Sequence, residues 1–133
     1  MLKKFVRTMA YIGGIVTGFY LFASAPGIHK KKKWQHLTGW DYAHRGLYDN
    51  EHGIPENSMA AFRRAVDKGY GIELDVHLTA DNQLVVFHDD TLTRMCGMNK
   101  KISSFLYSDL MQLRLLGTEE GIPLFKDVLE LID

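Results

Sequence analysis

A chain of 133 residues has room for one domain with its own core. Its formal net charge is zero, but the charge is divided: seven of the 16 Lys and Arg residues and none of the 16 acids lie in residues 1–33. The acidic remainder excludes nucleic-acid binding by general electrostatics, and the basic end beside it points to a membrane surface.

Residues 8–28 carry no charge and include Tyr11, Ile12, Ile15, Val16, Phe19, Tyr20, Leu21 and Phe22. About 20 mostly apolar residues cross a bilayer as a helix. Lys3, Lys4 and Arg7 flank one end, Lys30 to Lys33 the other, and Phe5 and Trp34 suit interfacial anchors. The rival reading is a cleaved signal peptide, since Ala23-Ser24-Ala25 has the small-x-small form; Pro26 in the first mature position argues against it. The expectation is a single-pass anchor, residues 1–33, with the body on the cytoplasmic side and Lys30 to Lys33 on anionic head groups. His29 and His36 fall in this juxtamembrane stretch, and residues 34–40 read as a linker.

The body, residues 41–133, opens with a short strand, Asp41–His44, and a loop, Leu47–Pro55, in which His52 reads as an ordinary loop residue, with the lining of a substrate entrance as the lesser alternative. Asn57 or Ser58 caps a helix from Met59 to Lys68, stopped by Gly69, with Met59, Phe62, Ala65 and Val66 on its apolar face. Ile72–Val76 alternates as a strand, and Leu84–Phe87 reads as a buried one. The seven residues between Val76 and Leu84 are too few for a crossover helix, so the link is an extended return or a hairpin turning at Ala80–Gln83. Pairing Thr79 with Leu84 would put Asp75 opposite His88. Ser108 is expected to cap a helix over Asp109–Leu116 ending at Gly117, and Phe125–Ile132 is a second amphipathic helix. Strand, helix, strand indicates α/β architecture. The single cysteine, Cys96, excludes an intramolecular disulfide and reads as a small apolar residue.

Chemistry gathers where apolar runs end. Glu73 and Asp75 are two apart on a strand and so share a face, where two oxygen ligands suit Mg²⁺ or Ca²⁺ better than zinc. His44 and His88 follow strand-like runs and can serve as a base and an acid near neutral pH. Arg45 offers a planar fork for a phosphate, and Gly46 permits close approach or positive φ. Glu56 can pair with Arg45 or approach a metal; Asn57 is a cap in support. His77 alternates with Val76 and should face away from the metal side.

In order and spacing, His44-Arg45-Gly46, Pro55-Glu56-Asn57-Ser58, Glu73-Leu74-Asp75-Val76 and His88-Asp89 resemble the signature of the glycerophosphodiester phosphodiesterase family. The resemblance implies the N-terminal portion of a TIM (β/α)8 barrel, with three of its eight strands and an open edge beyond Leu84–Phe87. It also implies His44 and His88 as the acid–base pair, Glu73 and Asp75 as metal ligands and Arg45 on the phosphate. The substrate would be a glycerophosphodiester or a lysophospholipid-like molecule. A glycerol hydroxyl would attack phosphorus and water would open the cyclic phosphate. Ile122-Pro123 fits the family's segment before a later strand, with Leu124 where a capping Thr is commoner and Asp81-Asn82 in place of an Asp-Gly turn. A third carboxylate is expected beyond Asp133, so the chain alone is expected to be inactive. The competing expectation is an anchored, non-catalytic module that binds a phosphate head group or a partner domain.

Overall fold

The computed structural model describes residues 2–24 and 35–133. The readings on Pro26, His29, Lys30 to Lys33 and Trp34 lie outside the described residues. The chain forms two compact units, residues 1–38 and 39–133.

In the first unit, α1 spans Leu2–Ser24, 23 residues, or about 34 Å at 1.5 Å per residue. It begins before the uncharged run and takes in Lys3, Lys4 and Arg7. Its stretch Val6–Ser24 is long and apolar enough to cross a membrane, a property that a signal sequence shares. A turn of 3-10 helix, Gln35–Leu37, occupies part of the expected linker.

The second unit is mixed α/β. Strand β1, Tyr42–His44, leads through a loop to α2, Met59–Asp67, and β2, Gly71–Glu73, returns parallel to β1. Helix α2 starts where Ser58 Oγ accepts the Ala61 N–H, and Gly69 just past its end takes φ +70°. Ala61, Phe62 and Ala65 are buried; Val66, expected on that face, is 39% exposed.

The expected strand Ile72–Val76 is two strands. The ladder with β1 ends at Glu73, and β3, Val76–Leu78, begins a separate antiparallel hairpin with β4, Leu84–Val86. Its register is one residue away from the expected one, with Leu78 opposite Leu84 and the Phe87 N–H donating to the Asp75 carbonyl. Side chains at the turn decide this. Thr79 Oγ1 accepts from the Gln83 N–H and donates to Asp81, the Thr79 N–H bonds the Gln83 carbonyl, and Asn82 takes φ +59°. A three-residue loop with a left-handed last residue is a standard hairpin closure. There are thus two parallel strands and a hairpin, rather than three parallel strands. The outer edge of β4 is covered too: Val86 N–H bonds the Pro123 carbonyl, and Val85 bridges Leu124.

β4 serves two cores by alternation. Val85 faces Phe87, Leu92, Met95, Ile102, Leu110, Leu115 and Ile122. Val86 faces Phe62 and Val128, where α2 and α5, Phe125–Ile132, pack with Ile72 and Leu74. The first core takes in Met95 of α3, Thr93–Cys96, and Leu110 of α4, Tyr107–Leu110. The helix expected over Asp109–Leu116 is therefore shorter and starts earlier. Ser108 lies inside it, and its start is bonded by Asp81 Oδ1, which accepts the Tyr107 N–H. The chain then kinks: Arg114 is extended, Leu116 takes φ +51°, and a 3-10 turn, Leu115–Gly117, buries Leu115. Helix α5 has no side-chain cap at Leu124.

Candidate functional site

The site grows from the exit of β1. Arg45 and Gly46 both take left-handed backbone, φ +59° and +81°. For a residue with a Cβ this costs roughly 1–2 kcal/mol. The turn is held by Arg45 N–H on the Glu73 carbonyl, 2.8 Å, and Leu47 N–H on the Ala61 carbonyl, 3.0 Å. A Cβ on Gly46 would lie 2.9 Å from Ala61 Cβ and 3.0 Å from its carbonyl carbon, so glycine lets the loop press onto α2.

Register places His44 beside Glu73. Their side chains approach to 3.9 Å, Nε2 to Oε2, outside hydrogen-bond reach. Although β2 ends at Glu73, the alternation persists: Ile72 and Leu74 enter the core, while Asp75 turns toward Arg45. Arg45 Nε and Asp75 Oδ2 face each other at 3.7 Å. Both atoms are buried and neither has a hydrogen bond.

The segment Pro55–Ser58 enters beneath. Glu56, Asn57 and Ser58 are buried, and Asn57 N–H donates to the Arg45 carbonyl at 2.9 Å. Ser58 alone caps α2. Asn57, at φ +54°, makes no cap, and its buried amide has no partner on either Oδ1 or Nδ2. Glu56 takes the pairing with Arg45: Nη1 donates to Oε1 at 2.9 Å. Burial pushes its carboxyl up, but hydrogen bonds from Arg94 and Arg45 outweigh that and hold it below the ordinary value.

Arg94 was not foreseen from the sequence. From α3 it donates Nη1 and Nη2 to Glu56, 3.0 and 2.7 Å, and Nε and Nη2 to Asp89, 2.8 and 2.9 Å. Its bonds hold the Asp89 carboxyl at about 2, with a smaller part from His88. His88 Nδ1 lies 2.6 Å from Asp89 Oδ1. An ionised carboxylate only accepts, so Nδ1 carries the proton and Nε2 is left for other chemistry. His77 lies on β3 opposite Val85, and its Nε2 donates to the His88 carbonyl at 3.1 Å. His52 pairs with Asp49 on the exposed loop.

One array therefore runs Asp75–Arg45–Glu56–Arg94–Asp89–His88, with His44 and Glu73 in contact beside it. As a metal site it is partial. The orphaned Asp75 oxygen and the half-exposed Glu73 are the oxygen donors that a hard divalent cation takes. Yet among the described residues no group of three or more His, Cys, Asp or Glu side chains is assembled around one point.

Comparison with known proteins agrees with this stretch of chain. Residues 44–133 match the family described as glycerophosphoryl diester phosphodiesterase. The chain is 35% identical over 136 residues to a lysophospholipase D of Rattus norvegicus, covering 92% of this chain and 42% of that one. It is 41% identical over 98 residues to a glycerophosphodiester phosphodiesterase of Bacillus altitudinis, covering 68% and 39%. Among solved structures it is similar to an Oleispira antarctica phosphodiesterase in complex with the product sn-glycerol-3-phosphate. That likeness has a TM-score of 0.63 and 31% identity over 73% of this chain and 41% of that one. The chain thus spans less than half the length of these relatives. His44, Arg45, Glu56, Glu73, Asp75, His88 and Arg94 all fall inside the matched residues, and the chain belongs to the glycerophosphoryl diester phosphodiesterase family, whose named members above are phosphoric diester hydrolases.

Proposed function

We propose that this array serves metal-dependent hydrolysis of a glycerophosphodiester, or of a lysophospholipid-like diester, to a glycerol phosphate and an alcohol. The observation that carries the reading is the gap between Arg45 Nε and Asp75 Oδ2. These two buried atoms of opposite groups, 3.7 Å apart and neither of them hydrogen-bonded, are poised for a ligand that offers both an anion and a cation. Glu73 and Asp75 would hold Mg²⁺ or Ca²⁺, which when bound neutralises charge on the phosphate oxygens.

The chain's own residues account for the rest. Arg45, steadied by Glu56, binds a non-bridging phosphate oxygen. One of His44 and His88 takes the proton of the glycerol hydroxyl as that oxygen attacks phosphorus; the other protonates the departing alcohol oxygen. Water then opens the cyclic phosphate with the roles reversed. For His88 the working nitrogen is Nε2, because Nδ1 is committed to Asp89. Residues 1–33 are read as a membrane anchor with a cytoplasmic body, 34–40 as a linker, and 41–133 as a portion of a (β/α)8 barrel. The length of α1 supports the anchor.

A second reading is a membrane-anchored module that binds a phosphate head group or a partner domain without turnover. The incomplete donor set among the described residues favours it. The test uses the full chain with glycerophosphocholine and a lysophospholipid, in Mg²⁺ or Ca²⁺, beside calorimetry with sn-glycerol-3-phosphate. Metal-dependent turnover lost in His44→Ala supports the phosphodiesterase. Binding without turnover supports the module, and neither result overturns both.

A further inference from the structure

Among the described side chains, Arg94 is the one that touches both carboxylates backing the two working groups. Glu56 supports Arg45, and Asp89 supports His88. Its guanidinium is spent on this: Nε and Nη2 on Asp89, Nη1 and Nη2 on Glu56, and Nη1 also on Met95 Sδ at 3.1 Å. Its own base is fixed. Leu92 and Met95 on either side are buried in the core, Cys96 N–H donates to the Leu92 carbonyl, and Thr91 bridges Lys101.

We propose that Arg94 is a positioning residue that couples the two ends of the site, fixing His88 in its Nδ1–H form through Asp89 while bracing Arg45 through Glu56. This rests on the phosphodiesterase reading for its catalytic meaning, though not for its geometry. Asp89 Oδ1 accepts from Arg94 Nη2 and His88 Nδ1 together, so its orientation toward the imidazole is set by the guanidinium plane. A planar fork bonds two carboxylates at once; an ammonium on a flexible stem cannot reproduce that geometry. Without Arg94, Asp89 is free to turn into solvent. The imidazole then loses its Nδ1 acceptor, and the proton redistributes toward Nε2. The nitrogen offered to the substrate would no longer be the bare one.

The test is ¹⁵N NMR of the full 133-residue chain with labelled histidine at a pH where the ring is neutral, His88 being assigned with His88→Gln. The wild type should show His88 as the Nδ1–H tautomer, and Arg94→Met should shift it toward Nε2–H with the thermal transition retained. A purely structural role would leave the tautomer unmoved in the folded variant. Should Arg94→Met fail to fold, Arg94→Lys keeps one positive charge beside Glu56 and should show the same shift. Loss of folding in both, or an unchanged tautomer in either folded variant, overturns the proposal. Where hydrolysis is measurable, kcat should fall roughly 10- to 100-fold with KM within about twofold, as for removal of a supporting partner. A tautomer shift in a protein without hydrolysis would leave the coupling standing and sink the phosphodiesterase reading alone.

Discussion

The two histidine ends of the site are held in opposite ways. His44 stands at the end of β1 with its side chain 65% exposed and 3.9 Å from Glu73. Around it the backbone is the ordered part: Arg45 and Gly46 are left-handed and bonded across to β2 and α2. His88 leaves a buried strand, and among Phe87–Cys96 no residue takes positive φ. There the side chains are the ordered part, in a chain of bonds of 2.6–2.9 Å from His88 through Asp89 to Arg94. Strain in the main chain at one end, and a closed hydrogen-bond network at the other, are two routes to the same pre-organisation. Of the two, only the first leaves buried side-chain atoms without a hydrogen bond, Arg45 Nε, Asp75 Oδ2 and the Asn57 amide, and it is there that the proposed ligand would find partners.

Removing either imidazole tests whether the two ends are equal in chemistry despite their unequal anchoring. In the hydrolysis assay His44→Ala and His88→Ala should each lower turnover by about 10²–10⁴. A near-normal His44→Ala would break the symmetry and leave the exposed histidine with no role in proton transfer.

The strained turn should be costly to alter. Gly46→Ala meets both a positive φ and contacts of 2.9–3.0 Å on Ala61. It should destabilise by about 2–3 kcal/mol in denaturant unfolding, from strain plus overpacking. Gly97, at φ +70° with nothing within 4 Å, is the control. Gly97→Ala should cost about 1 kcal/mol. Equal costs would mean that the approach of β1 to α2 is not what requires glycine at Gly46. Smaller than the Gly46 effect is the metal effect. Asp75→Asn should weaken Mg²⁺ or Ca²⁺ binding at least about tenfold by calorimetry, roughly 1.4 kcal/mol, whereas Asp89→Asn should leave it within twofold. Similar losses in both variants would place the cation in the wrong half of the site.

What the sequence disclosed about this contrast follows from physical range. The cap at Ser58, the stop at Gly69, the turn at Asn82 and the bounds of α5 are settled by neighbours a few residues away. So is the alternation that sends Ile72 and Leu74 into the core. The hairpin register slipped by one because Thr79 and Gln83 side-chain-to-backbone bonds, not apolar pattern, close that turn. The helix at Tyr107 begins early because its first N–H is taken by Asp81, 26 residues upstream. Arg94 was invisible for the same reason. It lies 38 residues from Glu56, in a four-residue helix, and nothing in the local pattern marks it off from a solvated charge. Asn57 looked like a cap by type, yet its left-handed backbone turns the amide away from the helix start.

The smallest effect probes the locked end alone, through acid. The unfolded Asp89 carboxyl titrates near 3.8, while Arg94 foremost, then His88, hold it at about 2 in the fold. Above about pH 4 the ionised form predominates in both states, and the network's contribution to stability is fully present. As pH falls from there toward 2 the unfolded chain takes up the proton first, and the contribution drains away. Asp89 is partly exposed, 23% at the side chain, and solvent screens the pair. The amount at stake is therefore about 1 kcal/mol rather than the full shift. Denaturant unfolding of the full chain at pH 6, 3 and 2 should show wild type more stable than Asp89→Asn by that amount at pH 6, with the gap narrowing at pH 3 and nearly closed at pH 2. A gap that stays constant across this range would mean that Asp89 is not held ionised by Arg94. The closed network would then be a weaker constraint on His88 than the bond lengths indicate.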